Sequence, residues 1–353
     1  MALEPSPTRI LVVGCGGIGG VLTAGLLEQG LAVTVIAKRK DIADALDAQG
    51  LRITDENGTR TVRGDLLALE HPPASGAFDF ALLAVQPTQV EEAAEQVGAL
   101  LGAQGRVVCL QNGLCEERVA KRLGPARVIG AVVAFGASST EPGVYERTSG
   151  GGFTLGTLEG PLDDRVAELG RMLEAVGPVT TTLNLRGARW SKLALNSVIS
   201  SLGTVGGTRL GPLLMHRFVR RLALEIITEA VAVAAAEGVT LEKVSGTLDL
   251  SWIALTDAEK RQVGSPALLA KHSLLMAVGA RYRRLRSSML AAIERGREPA
   301  VDFLNGELVD RGLLHGIATP VNAAVQRLIH DIAGKRAQSG VETLRDLYER
   351  TRD

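Results

Sequence analysis

The sequence has no excess of charge of either sign, since 39 Lys and Arg residues balance 39 Asp and Glu residues. A chain without a net positive field is not expected to attract nucleic acid or an anionic membrane surface. Any anionic ligand must therefore be bound by a local cluster of cations. We predict a small molecule as the partner, with no nucleic acid and no membrane.

Cysteine is scarce. The chain has three, Cys15, Cys109 and Cys115, which is a small and odd number and so does not indicate a disulfide framework. The five histidines form no group with metal-ligand spacing, so we expect no metal. A run of about 18 apolar residues, the length of a membrane span, is missing. Residues 1–9 also lack the basic start and apolar run of a signal peptide. These absences predict a cytoplasmic protein.

The two halves of the sequence differ in character. The first half alternates short β-rich runs with helical patterns, which is typical of βαβ units and a parallel sheet. Its main predicted strands cover residues 10–13, 33–37, 78–85, 106–110 and 128–135. From about Leu185 the strand patterns stop, and alanine- and leucine-rich helical periodicity continues almost to the end.

Local breaks refine this prediction. Asn57-Gly58, between β-rich runs at residues 51–53 and 61–62, predicts a hairpin with a type I′ turn. Shorter strands are predicted at residues 144–145, 153–155 and 179–182. Glycine-bearing breaks are predicted to divide the second half into several helices, near residues 203–211, 238, 264 and 312–316.

A glycine-rich loop lies between the first predicted strand and a helix, and it reads Gly14-Cys15-Gly16-Gly17-Ile18-Gly19. In the pattern G-x-G-x-x-G the first glycine permits a tight turn, the second lets the backbone approach a pyrophosphate, and the third lets helix and strand pack closely. Free N–H groups at the helix start would bind the phosphates. The alternative is a purely structural turn. The predicted cofactor contacts are Gly14, Gly16, Gly17, Ile18 and Gly19.

These patterns together predict an α/β Rossmann-type N-terminal domain, residues 1–184, followed by an all-α C-terminal domain, residues 185–353. The end of the second strand indicates which dinucleotide is used. An NAD-selective domain usually has an acidic residue there, whereas this chain reads Ala37-Lys38-Arg39-Lys40. Lys38 and Arg39 suit a 2′-phosphate, which predicts NADPH. The alternative is an exposed basic loop without a ligand.

A lysine stripe lies in the second half. Lys192, Asn196 and Ser200 are spaced i, i+4 and i+8 in a segment that is otherwise largely apolar. A lysine is costly to bury without a partner, so one interpretation of this pattern is a functional group. The alternative is the solvated face of an amphipathic helix.

Five segments of the sequence together resemble the ketopantoate reductase (2-dehydropantoate 2-reductase) family. They are residues 14–19, Leu110-Gln111-Asn112-Gly113, the K-x-x-x-N element from Lys192 to Asn196, residues 286–306, and the Gly-Ile-Ala-Thr-Pro-Val-Asn segment at residues 316–322. The resemblance covers roughly residues 8–330, apart from a helical stretch near residues 240–275 that is longer than usual.

This resemblance implies roles for individual residues. Lys192 would be the general acid that protonates the ketone oxygen as hydride arrives from NADPH. Asn112 would lie beside the nicotinamide and the substrate. Asn196 would hydrogen-bond the substrate, and Ser288 would hold its carboxylate. Lys38 would contact the 2′-phosphate.

The chain departs from the family pattern at several places, which implies a divergent member. Ser200 replaces an asparagine that binds substrate, and Gln86 replaces a lysine near the cofactor phosphate. Ala300 replaces a glutamate, and residues 206–210 lack a further substrate asparagine. We predict an NADPH-dependent reductase of a 2-oxo acid or related ketone. The alternatives are reduction of a less polar ketone or imine and, from another class, a non-catalytic NADP(H)-binding regulator.

Two further segments concern packing and assembly. The apolar residues 268–276 predict surface for a homodimer. Arg281, Arg283, Arg284 and Arg286 read as one basic helix segment, interpreted as a solvated face or as a source of salt bridges between subunits. The alternative is a role in binding the substrate carboxylate. Cys109 is interpreted as a small core residue.

Overall fold

The computed structural model describes residues 8–243, 248–261, 264–281 and 283–352. The chain divides into two compact units, Met1–Leu185 and Arg186–Asp353. The first unit is α/β and the second is helical, which confirms the predicted fold class.

The first unit contains twelve strands among its described residues. They are β1 (Ile10–Val13), β2 (Val33–Ile36), β3 (Leu51–Asp55), β4 (Gly58–Val62), β5 (Leu66–Leu69), β6 (Phe78–Leu83), β7 (Leu101–Cys109), β8 (Val128–Val133), β9 (Gly136–Glu141), β10 (Val144–Ser149), β11 (Phe153–Thr157) and β12 (Val179–Thr181). The helices are α1 (Gly17–Glu28), α2 (Lys40–Gln49), α3 (Val90–Gly98), α4 (Cys115–Leu123) and α5 (Asp164–Leu173).

Eight of the strands form one sheet in the order β12-β11-β8-β7-β6-β1-β2-β5. The six strands from β8 to β5 run parallel, and β11 is antiparallel to β8. Every residue of β1 is buried, as expected for a strand covered on both faces. The strand order reverses between β1 and β6, and open α/β sheets bind ligands at the carboxyl ends of the strands that flank such a point.

A second sheet, in the order β4-β3-β10-β9, was not predicted. Its β9 segment, Gly-Ala-Ser-Ser-Thr-Glu, has no apolar alternation, and the edge strand β5 of the main sheet was missed as well. The β3–β4 hairpin is confirmed. Its type I′ turn is wrong, because Gly58 and not Asn57 has the positive φ, and the Asn57 N–H is held by Asp55 Oδ1 over 2.9 Å.

The second unit contains the remaining helices. They are α6 (Leu185–Gly206, which begins at the last residue of the first unit), α7 (Leu210–Leu214), α8 (Arg217–Ala236), α9 (Leu250–Ile253), α10 (Asp257–Arg261), α11 (Pro266–Arg281), α12 (Ser288–Glu294), α13 (Asn305–His315), α14 (Pro320–Ala333) and α15 (Val341–Arg350). The predicted breaks at Gly238 and Gly316 are confirmed, since both have left-handed φ values just beyond a helix.

The predicted break in the range 203–211 is confirmed, since α6 ends at Gly206 and α7 begins at Leu210. Within α6, the missing side chain of Gly203 leaves room for Ser287; a Cβ there would lie 3.0 Å from the Ser287 Cβ. One prediction about the second unit was wrong. The four arginines do not form one helix segment, because α11 ends at Arg281. The following chain pairs with the start of α7, where Leu210 N donates to Leu285 O over 3.0 Å.

The structure gives two negative findings. No helix in the described ranges has both the length and the apolar character needed to cross a bilayer. Over those same ranges, no three His, Cys, Asp or Glu side chains are grouped to hold a metal ion.

Candidate active site

The glycine loop between β1 and α1 is shaped by two close backbone contacts. Gly14 has a φ of +95°, its N–H donates to Ile36 O over 2.9 Å, and a Cβ on it would lie 3.0 Å from the Ala84 carbonyl carbon. A Cβ on Gly19 would lie 2.0 Å from Gly14 O. These two positions therefore accept only glycine.

Gly16 differs from Gly14 and Gly19. A Cβ on Gly16 would meet no described atom within 4 Å, and the residue is exposed as the N-cap of α1. The open space beside free N–H groups at a helix start fits a phosphate group. The loop thus keeps its backbone accessible at Gly16, the one glycine of the pattern that close packing does not require.

The opposite side of the loop rests on the second sheet. A Cβ on Gly20 would lie 2.3 Å from the Tyr145 ring, and one on Gly17 would lie 2.5 Å from Ala137 O. The Tyr145 hydroxyl is 3.0 Å from Cys15 Sγ, and both side chains are buried. Burial raises the pKa of the Cys15 thiol to about 11, so it stays protonated. Sequence reasoning missed Tyr145, although Gly20, a fifth glycine directly after the G-x-G-x-x-G pattern, was a local indication of close packing.

Four candidate cofactor positions follow the carboxyl ends of four adjacent parallel strands. Gly14 follows β1, Lys38 follows β2, Gln86 follows β6 and Asn112 follows β7. Parallel strands end at the same edge, so the fold brings these positions together. Lys38, Gln86 and Asn112 are all exposed.

The turn that carries Asn112 is fixed from inside the sheet. The buried Gln111 Nε2 donates to Leu83 O over 2.8 Å and joins the ends of β7 and β6. Gly113 then adopts a φ of +88°. The neighbouring Cys109 is fully buried at the end of β7, which confirms its interpretation as a core residue.

The basic segment after β2 contains an ion pair that the sequence interpretation did not include. Arg39 Nε donates to Asp41 Oδ1 over 2.9 Å, and its Nη2 contacts Asp41 Oδ2. Lys40 Nζ donates to Asp44 over 2.9 Å. The four residues from Ala37 to Lys40 lack a carboxylate, but the first turn of α2 supplies one to Arg39.

Helix α6 carries the lysine stripe in the second unit. Lys192, Asn196 and Ser200 are partly exposed, whereas Leu193 and Val198 are buried. Burial, reinforced by the like charge of Arg189 one turn earlier, lowers the pKa of the Lys192 ammonium to about 7. A lysine with this pKa holds and releases a proton near neutral pH.

Asn196 lies one turn beyond Lys192 and has an unsatisfied group. Its Nδ2 atom is buried and donates to no partner among the described residues. Buried amide donors almost always have a partner, so an unpaired one calls for an explanation such as a ligand.

The start of α12 packs on the same stretch of α6. Ser288, the predicted carboxylate ligand, is exposed as the first residue of α12. Its neighbour Ser287 is buried; its hydroxyl accepts from Leu290 N over 3.2 Å and donates to Ser200 O over 2.8 Å. Sequence reasoning missed Ser287, which holds Ser288 close to the backbone of the lysine stripe.

The chain matches known proteins along most of its length. The model of the family described as ketopantoate reductase PanE/ApbA matches residues 10–160, and that of its C-terminal part matches residues 184–333. A 2-dehydropantoate 2-reductase of Halobacterium salinarum is 28% identical over 91% of this chain and 97% of that protein. One of Mesorhizobium japonicum is 27% identical over 93% of this chain and 98% of that protein.

Solved structures are similar too. A PanE/ApbA family ketopantoate reductase from Ralstonia eutropha JMP134 has a TM-score of 0.77 at 26% identity, over 93% of this chain and 99% of that chain. D-Mandelate dehydrogenase, in a complex with NADH and anilino(oxo)acetate, has a TM-score of 0.78 at 17% identity over the same shares. This second likeness concerns the fold alone.

Proposed function

Because this chain belongs to the ketopantoate reductase family, whose members are oxidoreductases that act on a keto group, we propose that it reduces a 2-oxo acid or related ketone with NADPH. The family uses a pyridine nucleotide, and the choice of NADPH is our proposal. It rests on the exposed cations Lys38 and Arg39 at the end of β2. The 2′-phosphate is the group that these side chains would hold.

The observation that carries the proposal is the position of Lys192 on α6, one turn before Asn196 and two turns before Ser200, and burial there lowers the pKa of its ammonium to about 7. General acids work best when their pKa lies near the operating pH. In the proposed reaction Lys192 Nζ donates its proton to the substrate oxygen, and its ammonium stabilises the developing alkoxide charge. The bound dinucleotide supplies the hydride to the carbonyl carbon.

The remaining residues bind and orient. Gly14, Gly16, Gly17, Ile18 and Gly19 would hold the pyrophosphate, and Gln86 would line the cofactor site. Asn112 would contact both nicotinamide and substrate. Asn196, with its unpaired buried Nδ2, would donate to the substrate, and Ser200 and Ser288 would complete the polar contacts.

A spectrophotometric panel tests the proposal. NADPH absorbance is followed with 2-dehydropantoate, with other 2-oxo acids, and with ketones that lack a carboxylate. We expect turnover of at least one 2-oxo acid. Tight NADPH binding without turnover of any substrate would instead identify a non-catalytic NADP(H)-binding protein.

A second candidate is a reductase of a less polar ketone or an imine. It is favoured by Ala300, the first residue of the short helical turn Ala300–Phe303. This residue offers only a methyl group where the family pattern has a glutamate. A pocket that lacks such partners loses affinity for a polyhydroxy substrate, because the hydroxyl groups of that substrate remain unpaired. Turnover of apolar ketones or imines without turnover of 2-dehydropantoate would select this candidate.

The proposed enzyme is also a homodimer. On α11 Leu268 and Leu275 are buried, but Leu269 and Met276 are 69% and 41% exposed. Exposed apolar side chains of this size are typical of subunit interfaces. Light scattering should give twice the mass of the chain, and Leu269→Glu should shift the protein towards the monomer.

A further inference from the structure

The cation best suited to grip a 2′-phosphate already has a partner. Arg39 approaches Asp41 through two nitrogen atoms, Nε at 2.9 Å from Oδ1 and Nη2 on Oδ2. The guanidinium fork that would bind two phosphate oxygens therefore faces a carboxylate. The Arg39 and Asp41 side chains are 60% and 49% exposed, so a ligand can reach both.

Lys38 has a different environment. Its backbone has a φ of +61°, and its ammonium forms no ion pair with any residue of the described ranges. Lys40, the third cation, donates to Asp44 one turn further along α2. An incoming phosphate would meet Lys38 unopposed, but it would gain Arg39 only by displacing Asp41.

We propose that Asp41 determines cofactor specificity by competing with the 2′-phosphate of NADPH for Arg39, so that the chain uses NADH as well as NADPH. With NADH bound, Asp41 keeps Arg39 neutralised. With NADPH bound, Arg39 exchanges partners, and the released carboxylate remains near a dianionic phosphate. Both effects reduce the preference for NADPH. This inference rests on the proposed dinucleotide-binding function.

The competition operates throughout the neutral range. The hydrogen bond from Arg39 holds the pKa of the Asp41 carboxyl below its usual range, and the N–H of Ile42 also donates to this carboxylate, over 3.0 Å. Asp41 is therefore ionised at any pH at which the enzyme would be assayed.

Dissociation constants for NADPH and NADH test the proposal, measured for wild type, Asp41→Asn and Asp44→Asn. An exposed ion pair is weak, so removing it should change the affinity by no more than about fivefold. We expect Asp41→Asn to bind NADPH about two- to fivefold more tightly and NADH within about twofold of wild type. Asp44→Asn, which removes the ion pair of Lys40 from the same helix, is the matched control and should leave the ratio of the two constants unchanged.

A double-mutant cycle establishes that Asp41 acts through Arg39. In an Arg39→Ala background, Asp41→Asn should change the affinity ratio less than it does in wild type, because the group for which Asp41 competes is gone and only its repulsion of the phosphate remains. The tighter NADPH binding that Asp41→Asn gives in the presence of Arg39 should also shrink at about 1 M salt, where the Debye length is about 3 Å.

The outcomes separate this inference from the proposed function. If wild type binds NADPH but Asp41→Asn leaves the ratio unchanged, or shifts it as much as Asp44→Asn does, the role of Asp41 is overturned. If wild type binds neither dinucleotide, the proposed function fails and the inference fails with it.

Discussion

Asn305 Nδ2 donates a hydrogen bond to Asn322 Oδ1 over 2.9 Å, and both side chains are fully buried. Asn305 begins α13, and Asn322 lies in the first turn of α14. The Asn305 amide also donates to Ser197 O over 3.2 Å and accepts from the Ser201 hydroxyl, both on α6. Asn322 Nδ2 donates to Glu229 Oε2 of α8 over 2.6 Å. The two asparagines thereby connect four helices of the second unit.

These asparagines come from two of the segments that resemble the family, Asp302-Phe-Leu-Asn-Gly and the segment that ends at Asn322. Their burial assigns them to the interior, where a satisfied polar network fixes one arrangement of the helices. Ser197 and Ser201 lie one residue along α6 from Asn196 and Ser200. The network therefore sets the orientation of the helix that carries Lys192.

Asn305→Ala should destabilise the protein by about 2 kcal/mol or more, since it leaves the buried Asn322 Oδ1 without its donor and the Ser201 hydroxyl without its acceptor. Urea unfolding followed by circular dichroism measures this loss. Gln326→Ala, on the helix α14 that also carries Asn322, is the control, because its hydrogen bond to Asp302 is exposed. Equal losses in the two variants would show that the buried network contributes no special stability.

Lys192 should give the reduction a distinct pH dependence. Only the protonated ammonium donates a proton, and its pKa is lowered to about 7. In the reduction direction, kcat/KM should therefore fall about tenfold per pH unit above about pH 7, and it should level off below that value. Steady-state rates across the pH range measure this profile.

Lys192→Ala should reduce kcat by about 10²- to 10⁴-fold and leave the dissociation constant of NADPH close to that of wild type. Lys121→Ala, which removes an exposed lysine of α4, should leave kcat unchanged. A wild-type profile that is flat across neutral pH, together with an active Lys192→Ala variant, would remove this lysine from the mechanism.

Sequence reasoning found the features that local pattern determines. The buried run of β1, the glycine loop and the spacing of Lys192, Asn196 and Ser200 each lie within a dozen residues, and the structure contains all three elements. The predicted family is confirmed as well.

The features that it missed depend on partners far along the chain. Strand β9 has no apolar pattern of its own and exists because it pairs with β10. Tyr145 reaches Cys15 across 130 residues, and Ser287 reaches Ser200 across 87. The Arg39–Asp41 pair spans only two residues, but it depends on the turn into α2, which composition does not specify.

The glycine loop allows two matched substitutions with opposite consequences. Gly20→Ala places a Cβ 2.3 Å from the Tyr145 ring, so we expect a loss of about 1–3 kcal/mol of stability from overpacking. Gly16→Ala meets no described atom within 4 Å, and its φ of −78° suits alanine. It should leave the melting temperature unchanged and weaken dinucleotide binding by occupying the space beside the helix start.

Thermal unfolding and dinucleotide titration of both variants measure these effects. The loss of stability in the double variant Gly20→Ala/Tyr145→Ala should be smaller than the sum of the two single losses, because the clash is with the ring itself. Unchanged dinucleotide affinity in Gly16→Ala would contradict the phosphate-binding role of the loop.

A buried ion pair joins α10 to α11, and its contribution to the stability of the protein should depend on pH. Lys271 Nζ donates to Glu259 Oε2 over 2.6 Å and to Ala254 O over 2.7 Å, and both charged side chains are almost fully buried. Burial alone would raise the pKa of Glu259, but the hydrogen bond from Lys271 and that from Thr256 N outweigh it and lower this pKa. A carboxyl whose pKa is lowered by folding stabilises the protein above its unfolded pKa, and it loses that contribution as pH falls through the folded value.

Glu259→Gln should therefore cost about 3–5 kcal/mol at neutral pH, because it leaves the Lys271 ammonium buried without a counter-ion. The difference from wild type should shrink as pH falls below the usual range of glutamate, where Glu259 becomes protonated in both the folded and the unfolded protein. Asp257→Asn, two residues earlier, provides the matched control, since its side chain is 83% exposed and pairs with Lys260 at the surface. The measurement is the melting temperature of the three proteins across the acidic range. If the loss of stability in Glu259→Gln stays constant with pH, packing and not the charge of Glu259 accounts for it.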